Sequence, residues 1–444
     1  MSYDPATRLV PEQLRIASLG SPQCASPLAK GLHPDSPTAD YVGDDERVLL
    51  EPRFRAGDGL KPIGFERAGP RREIFFDPAC ATAAIVTCGG LCPGLNDVIR
   101  SLVFELAYNY GVRRIWGIRH GYQGLNPSEG RPPRELTPES VSSIHHEGGT
   151  VLGTSRGPQD PQRSVEYLAS LGVNMLFCIG GDGTQRGAHA IAAEATRRRL
   201  PLAVVGIPKT IDNDIHYCWR TFGFYTAVAE AEKAIDRAHV EARSTLNGVG
   251  LVKLMGREAG FIAAAAALAS GEANFCLIPE DPFELEGPRG LLQKLKRRLL
   301  AREHAVIVAA EGAGQDLLAR QEGGGAERTD ASGNRRLRDI GPFLKQAIEQ
   351  FCASQGVPVS VKYFDPSYQI RSVPASAVDS LLCDRFARAA AHAALAGKTD
   401  LLIGLWHNHL IHVPLAISTG EIRRLDLRSE LWRAVLAATG QEKW

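Results

Sequence analysis

Residues 174–200 read NMLFCIGGDGTQRGAHAIAAEATRRRL, and this stretch decides the fold. A short apolar run ends in a glycine-rich loop, and a segment with helical spacing of its apolar residues follows. Strand, glycine loop and helix in this order are the repeating unit of a parallel sheet covered by helices on both faces. Such sheets bind ligands in the crevice outside the carboxyl ends of the strands, where the glycine loop would lie.

The same pattern recurs on both sides of this stretch. Further apolar runs that meet glycine loops lie at residues 81–90, 201–210, 248–257 and 304–314. We therefore predict an α/β protein with two Rossmann-like domains, mostly parallel sheets and an N-terminal extension. The predicted parts are an extension at 1–80, a first α/β domain at 81–224 completed by a segment after about 372, a second α/β domain at 225–371, and C-terminal helices with a return segment at 372–444.

Length and composition agree with this division. The 444 residues are about three times the length of a typical single domain. The 45 glycines are about a tenth of the chain, against a usual ~7%, which indicates tight turns or close approach of the backbone to a ligand. Residues 1–80 are rich in Pro, Gly and Ser and predict turn-filled chain that wraps the core or pairs with another subunit. Residues 320–341, almost without apolar side chains, predict a mobile surface loop.

The charge balance excludes some classes of partner. The 51 basic and 50 acidic side chains leave a net charge of +1, so no field draws the whole protein to nucleic acid or to an anionic membrane. The nine cysteines have no framework spacing, which favours reduced thiols. No apolar run approaches 18 residues, and the start of the sequence lacks the pattern of a signal peptide. We expect a cytoplasmic protein that binds neither nucleic acid nor membrane.

Two of the glycine loops fit a phosphate group. In residues 87–96, TCGGLCPGLN, the glycines and the start of the next helix suit phosphate binding and a purely structural turn equally well. The second loop adds chemistry, because Asp182 can hold magnesium and Thr184 can donate to a phosphate oxygen, while Gly181 and Gly183 let the phosphate come close. The alternative is a turn whose aspartate caps the following helix.

The segment PKTIDND, residues 208–214, adds the groups that phosphoryl transfer needs. Two carboxylates two residues apart can divide the work: one takes a proton from an attacking hydroxyl and the other assists a metal ion. The neighbouring lysine offsets phosphate charge. An isolated DND would be no more than a turn.

Eight segments occur in the order and spacing of the phosphofructokinase family, which this sequence resembles over residues 81–417, roughly three quarters of the chain. They are TCGGLCPGLN, GIRHGYQGL, GGTVLGTSRG, CIGGDGTQRGA, GIPKTIDNDI, LVKLMGREAGFIA, CLIPE and VAAEGAG. With KYFDPSYQIR and the N-terminal extension, the sequence is most similar to the branch that contains the plant and trypanosomal ATP-dependent enzymes.

The resemblance implies phosphorylation of fructose 6-phosphate at its 1-hydroxyl by Mg-ATP, which gives fructose 1,6-bisphosphate and ADP in glycolysis. The first domain would bind nucleotide and the second the sugar phosphate. The implied catalytic residues are Asp212 as general base, Thr210 at the transferred phosphoryl group and Arg257 stabilising its charge. The implied substrate-binding residues are Ile211, Asp214, Met255, Gly256, Glu311, Tyr368 and Arg371. The implied nucleotide-binding residues are Gly89, Gly90, Tyr122, Arg156, Gly157, Gly181, Asp182, Gly183 and Thr184. Asp182 would also organise Mg²⁺, with Asp214 as a second candidate.

Two residues bear on the phosphoryl donor. Pyrophosphate-using relatives commonly carry Asp at the position of Gly183 and Lys at that of Lys209, so this chain has one signal for each donor. An aspartate in place of Gly183 would obstruct a nucleotide by its bulk and charge, which comes close to excluding ATP, whereas a lysine beside a phosphate suits either donor. Because this chain has glycine there, ATP is expected as the donor. The alternatives are a pyrophosphate-dependent transferase and a noncatalytic sensor of sugar phosphate or nucleotide.

The sugar-phosphate site departs from the family pattern at one position. Bacterial members carry an arginine that reaches in from a neighbouring subunit where this chain has Gly248, and Arg243 is the nearby candidate to replace it. By ungapped counting, Lys362 falls where another phosphate-binding arginine is usual. The family resemblance also implies a homotetramer or a homodimer.

Overall fold

The structure is a computed structural model, and it describes residues 9–30, 41–52, 63–321, 336–442 and 444. Residues 1–8, 31–40 and 53–62 of the predicted extension, and residues 322–335 of the predicted surface loop, lie outside the described residues.

The described residues form seventeen strands and twelve α-helices, in an order that alternates strand and helix through the middle of the chain. The strands are β1 Ala17–Ser18, β2 Cys24–Ala25, β3 Arg47–Leu49, β4 Gly64–Arg67, β5 Glu73–Ile74, β6 Thr82–Thr87, β7 Arg114–Ile118, β8 Arg134–Glu135, β9 Met175–Gly180, β10 Ala203–Pro208, β11 Gly248–Leu254, β12 Phe275–Leu277, β13 His304–Ala310, β14 Ser360–Phe364, β15 Lys398–Thr399, β16 Leu401–Trp406 and β17 His409–Pro414. The helices are α1 Leu95–Phe104, α2 Pro138–Val141, α3 Pro161–Ser170, α4 Asp182–Arg197, α5 Phe224–Arg243, α6 Phe261–Ser270, α7 Leu291–Arg302, α8 Gln315–Gln321, α9 Ile340–Ser354, α10 Ala377–Leu395, α11 Leu415–Ser418 and α12 Glu430–Thr439.

The larger sheet has nine strands in the order β3-β4-β17-β16-β10-β9-β6-β7-β8. Its five central strands, β16 to β7, are parallel, and the strands at both edges are antiparallel. Every residue of β6, β9 and β10 is buried, as expected for strands covered on both faces. Helices α4 and α10 both pack against β10, α3 packs on α4, and α1 packs on α10.

The smaller sheet has four parallel strands in the order β12-β13-β11-β14. A second hydrophobic core, separate from that of the larger sheet, lies between this sheet and helices α7 and α9; Leu295, Ile307 and Leu344 belong to it. Two sheets of mostly parallel strands with covering helices confirm the predicted α/β fold class. The division of the chain at 81, 225 and 372 stays a prediction, although strands from 47–67 and 401–414 complete the larger sheet.

No helix in the described ranges is both long and apolar enough to cross a membrane.

Candidate active site

One cleft of about 1460 Å³ is lined by residues that follow the carboxyl ends of strands in both sheets. On one side these are the loops after β6, β9 and β10, and on the other the loops after β11, β13 and β14. The predicted site residues that line it are Gly89, Gly90, Tyr122, Arg156, Gly157, Gly181, Asp182, Gly183, Thr184, Lys209, Thr210, Ile211, Asp212, Asp214, Met255, Arg257, Glu311, Tyr368 and Arg371. The fold thus brings together segments that are up to about 280 residues apart in the sequence.

Gly256 belongs to the predicted set but does not line the cleft. It is buried, its φ is 139°, and its carbonyl accepts a hydrogen bond from the Ala259 amide at 2.6 Å. This conformation is open to glycine and not to residues with a Cβ. Gly256 therefore shapes the turn that presents Arg257.

Three cationic side chains converge on Gly90. Lys209 donates a 2.7 Å hydrogen bond from Nζ to the Gly90 carbonyl. The guanidinium nitrogens of Arg371 and Arg156 lie 3.3 and 3.7 Å from the point that a Cβ at this residue would occupy. Lys209 is only 5% exposed, and burial lowers its pKa. Three cations around a loop without side chains form an arrangement suited to phosphate oxygens.

The neighbouring residue Gly89 is held by the chain that faces it. Its φ is 84°, its amide donates to the Ser155 carbonyl at 3.1 Å, and its carbonyl accepts from Thr154 Oγ1 at 2.7 Å. These bonds fix the first glycine loop in a left-handed turn before a ligand arrives.

Helix α4 begins at the cleft with Asp182, so its free amide groups and positive dipole end face the cavity. A Cβ at Gly183 would find open space, with Arg186 Nη2 nearest at 3.9 Å. Arg186 forms an ion pair with Asp182. Burial raises the pKa of Asp182, the charge of Asp214 adds to the rise, and the Arg186 guanidinium opposes it. Arg186 is not among the predicted residues, although its position four residues after Asp182 in a helix was the signal.

Tyr122 supports this helix start. Its hydroxyl donates to the Thr184 carbonyl at 2.7 Å, and its ring fills the space beside Gly187. Burial raises its pKa well above the ordinary value of a tyrosine. Because its hydroxyl is hydrogen-bonded to the backbone in the first turn of α4, Tyr122 holds the start of this helix in position.

The loop after β10 holds two carboxylates on either side of a left-handed residue. Asn213 is fully buried with a φ of 55°; its side chain accepts from the Thr221 amide at 3.0 Å and donates to the Trp219 carbonyl at 3.3 Å. The Asp212 amide donates to Thr210 Oγ1 at 3.0 Å. These hydrogen bonds lie within the loop and fix its shape, and that shape sets the directions of Asp212 and Asp214.

Asp212 is the most unusual carboxylate of the site. It is 8% exposed, and its Oδ1 is buried without a hydrogen-bond partner among the described residues. Burial raises its pKa well above the usual range, the charges of Asp214 and Glu311 add to the rise, and Arg257 and Lys209 oppose it. A buried carboxylate with an unused oxygen and a raised pKa is suited to accept a proton.

Arg257 and Glu311 form the opposite wall. Arg257 has a φ of 44°, and its amide donates to Glu311 Oε1 at 3.1 Å. A Cβ at residue 312 would overlap the Arg257 carbonyl oxygen, so Gly312 allows this close approach. Burial raises the pKa of Glu311. A non-glycine residue in the left-handed region, fixed from two sides, is typical of a functional site.

The sequence analysis also missed an ion-pair cluster on this wall. Lys253 Nζ lies 2.8 Å from Asp365 and 3.2 Å from Asp339. Burial lowers the pKa of Lys253, but the hydrogen bond that Lys253 donates to Asp365 and the nearby negative charges outweigh burial, and the pKa is raised. A single lysine inside the apolar run LVKL was the signal in the sequence.

The remaining predicted positions lie as follows. Tyr368 is 75% exposed, and the Arg371 guanidinium lies 4.8 Å from the centre of its ring. Lys362 is exposed on β14 and is not among the residues that line the cleft. A Cβ at Gly248 would overlap the Ala242 carbonyl oxygen, so no side chain fits there, while Arg243 is exposed at the end of α5.

Comparisons with known proteins agree with the motifs. The phosphofructokinase family model matches residues 82–394. The chain is 48% identical to the ATP-dependent 6-phosphofructokinase of Amycolatopsis methanolica, with 97% of this chain and 95% of that relative covered. It is 49% identical to the enzyme of the same name from Borreliella burgdorferi, with 96% of each chain covered. The relative of that name from Trypanosoma brucei brucei is 48% identical, over 90% of this chain and 81% of its own.

The crystal structure of the pyrophosphate-dependent phosphofructokinase from Marinobacter aquaeolei has a TM-score of 0.65 at 20% identity, over 82% of this chain and 92% of that one. That structural likeness concerns the fold alone. The family match and the three relatives confirm the resemblance drawn from the eight segments. The chain belongs to the phosphofructokinase family.

Proposed function

We propose that this protein is an ATP-dependent 6-phosphofructokinase, which transfers the terminal phosphoryl group of ATP to the 1-hydroxyl of fructose 6-phosphate. The observation that carries the proposal is the buried Oδ1 of Asp212, which has no hydrogen-bond partner in the described part of the chain and lies between the cations at Gly90 and the Arg257–Glu311 wall. Relatives of that name at 48 and 49% identity over nearly the whole chain support it. The products are fructose 1,6-bisphosphate and ADP, and the reaction belongs to glycolysis.

The cleft supplies each group that the transfer needs. Asp212 takes the proton of the 1-hydroxyl, and the resulting oxygen attacks the terminal phosphorus in line while the bond to ADP breaks. Thr210 and Arg257 face the transferred group, where a hydroxyl donor and a guanidinium offset its charge. Glu311 is the acceptor for sugar hydroxyls, and Arg371 with Tyr368 forms the end that holds the 6-phosphate.

The carboxylates of the site fit Mg²⁺ that arrives with the nucleotide. Asp182 lines the cleft, and Asp214 is close enough for its charge to raise the pKa of Asp182. Mg²⁺ in phosphoryl-transfer sites is bound through one or two carboxylates together with substrate phosphates and water. Within the described ranges no group of three or more potential ligand side chains gathers, so the phosphates would complete the coordination. The ion would neutralise phosphate charge, and Asp182 with Asp214 would hold it.

The cleft also favours ATP over pyrophosphate. The space beside Gly183 is open, and beyond it the cleft continues along α4, where Gly187, Ala190 and Ile191 line it. Pyrophosphate would leave this region empty, whereas a nucleoside would fill it. Lys209 fits both donors, because its Nζ is bonded to the Gly90 carbonyl at the phosphate end. The open space beside Gly183 therefore favours ATP as the donor.

We place the enzyme in the cytoplasm as a homo-oligomer, either a tetramer or a dimer. All nine cysteines are free thiols, which a reducing compartment would preserve. Gly248 has no room for the arginine that bacterial relatives use across subunits, so Arg243 is the group that would serve this purpose from a neighbour.

A coupled assay tests the proposal: purified protein with magnesium and fructose 6-phosphate receives either ATP or pyrophosphate. We expect turnover with ATP and at most a few per cent of that rate with pyrophosphate. Turnover with pyrophosphate alone would contradict the donor assignment. Tight binding of nucleotide without turnover by either donor would indicate the noncatalytic sensor.

A further inference from the structure

Arg423, in the C-terminal part of the chain, is a buried cation that contacts the loop carrying Asp212. Arg423 follows α11 and is 6% exposed. Its Nη1 donates to the carbonyls of Cys218, Trp219 and Asn213 at 2.9, 3.0 and 3.2 Å. Burying a guanidinium is costly unless its donors are satisfied, and the Nε of Arg423 is buried without a partner among the described residues, so Nη1 carries the contacts with the loop. Here it gathers three carbonyls of one loop.

Other contacts hold Arg423 in place. Its guanidinium lies 4.7 Å from the ring centre of Phe261, and its own amide donates to the Asp214 carbonyl at 2.8 Å. Burial lowers its pKa to about 10, so the side chain is still charged at neutral pH. The side chain and the backbone of one residue therefore hold the carbonyls of Asn213 and Asp214, the two residues that follow Asp212.

The neighbours of Arg423 tie the same segment to the other wall of the cleft. Ile422 pairs with Ile215 in an antiparallel bridge and lines the cleft. Arg424 forms an ion pair with Glu258, beside Arg257. The Leu425 amide donates to Glu280 Oε1 at 2.8 Å, and Glu280 also accepts from the Gly260 amide. The segment of residues 422–425 thus contacts the Asp212 loop through its first two residues and the region of the Arg257 turn through its last two.

We propose that Arg423 is a positioning residue for phosphoryl transfer: by holding the carbonyls of residues 213, 218 and 219, it fixes the direction of the Asp212 carboxylate relative to Arg257. This inference rests on the proposed function. Arg423 is not among the described residues that line the cleft, and it acts through the loop. Misplacement of a catalytic group by about 1 Å can cost on the order of 10²-fold in rate, so the effect falls on kcat.

The test compares the full-length enzyme with Arg423→Met, Arg423→Lys and the control Arg433→Met, which removes an exposed arginine from α12. We expect Arg423→Met to lower kcat by about 10- to 100-fold with KM for ATP within about threefold. Lysine keeps the charge but lacks the planar face that stacks on Phe261, so an intermediate loss of about threefold or more is expected. The control should match the wild type.

The positioning role would be overturned by an unchanged kcat in Arg423→Met, or by a loss of rate that only follows the loss of folded protein. If Arg423→Met does not fold, Arg423→Lys decides by the same measurements, and a wild-type kcat in that variant overturns the proposal.

Amide hydrogen exchange of residues 212–221 gives a readout that needs no turnover. We expect faster exchange there and unchanged exchange in β9, and unchanged exchange in both would overturn it. Inactive wild-type protein would instead contradict the proposed function.

Discussion

The two walls of the cleft are built differently. The wall at the ends of β6, β9 and β10 presents glycines and the start of α4, and it leaves room beside Gly183. The wall at the ends of β11 and β13 presents charged groups that already have partners: Glu311 accepts from the Arg257 backbone amide, and Lys253 forms an ion pair with Asp365. A substitution on the glycine wall therefore acts through what it adds, and one on the charged wall through what it removes. Asp212 lies where the walls meet.

The largest expected effect is at this junction. Asp212→Asn should lower kcat by about 10³- to 10⁴-fold, because the amide cannot take the proton of the 1-hydroxyl. The KM for both substrates should change little, since the shape of the loop is kept. Steady-state kinetics checks this, with Asp384→Asn on α10 as a control for the same chemical change outside the cleft. A loss below tenfold would show that Asp212 is not the base.

The next effect tests the glycine wall. Gly183→Asp should lower kcat/KM for ATP by about 10²-fold, because a carboxylate would face phosphate charge. The KM for fructose 6-phosphate should stay within about twofold. Gly183→Ala is the matched control: its methyl group enters open space, so it should keep most of the activity with ATP.

Arg186 sharpens this test. It lies close enough to residue 183 to pair with an introduced aspartate, so Gly183→Asp with Arg186→Met should lose more activity with ATP than Gly183→Asp alone. Equal losses in ATP use and sugar-phosphate binding would mean that the two walls do not act separately.

The smallest expected effect concerns stability. The folded protein raises the pKa of Asp212, so the ionised carboxylate destabilises the native state once the pH exceeds the ordinary pKa of an aspartate, and the penalty is complete above the raised pKa. Asp212→Asn removes this penalty. Thermal unfolding at pH 7.5 should show a Tm about 1–4 °C higher than the wild type, and the gain should vanish near pH 4. A lower Tm at pH 7.5 would contradict the stated cause of the pKa shift.

How far the sequence predicts the site depends on distance along the chain. The glycine wall was predictable because its glycines, Asp182 and Thr184 lie within one strand, loop and helix start, where local spacing carries the information. The ion pair of Lys253 with Asp365 joins residues more than 100 positions apart, and the carbonyls held by Arg423 lie more than 200 positions before it. No local pattern records such pairings, since they arise only when separate sheets and a return segment meet.

The position of Gly248 shows the same limit in another form. The sequence shows that the arginine of bacterial relatives is missing there, but it gives no reason. In the structure the turn from α5 into β11 brings the Ala242 carbonyl against the Gly248 Cα, so any side chain is excluded.

The strand order of the larger sheet has a consequence for synthesis. Of the strands in the larger sheet, β3 and β4 leave the ribosome first, but β4 pairs with β17, and only β16 separates β17 from β10. These two strands therefore cannot take their places until β17 at His409–Pro414 has emerged, and contacts of such long range are slow to form. Until then β4 lacks its partner β17, and the edge of β10 stays unpaired and open to other strands. A ribosome-bound chain that stops short of β16 should accordingly show these strands accessible to protease.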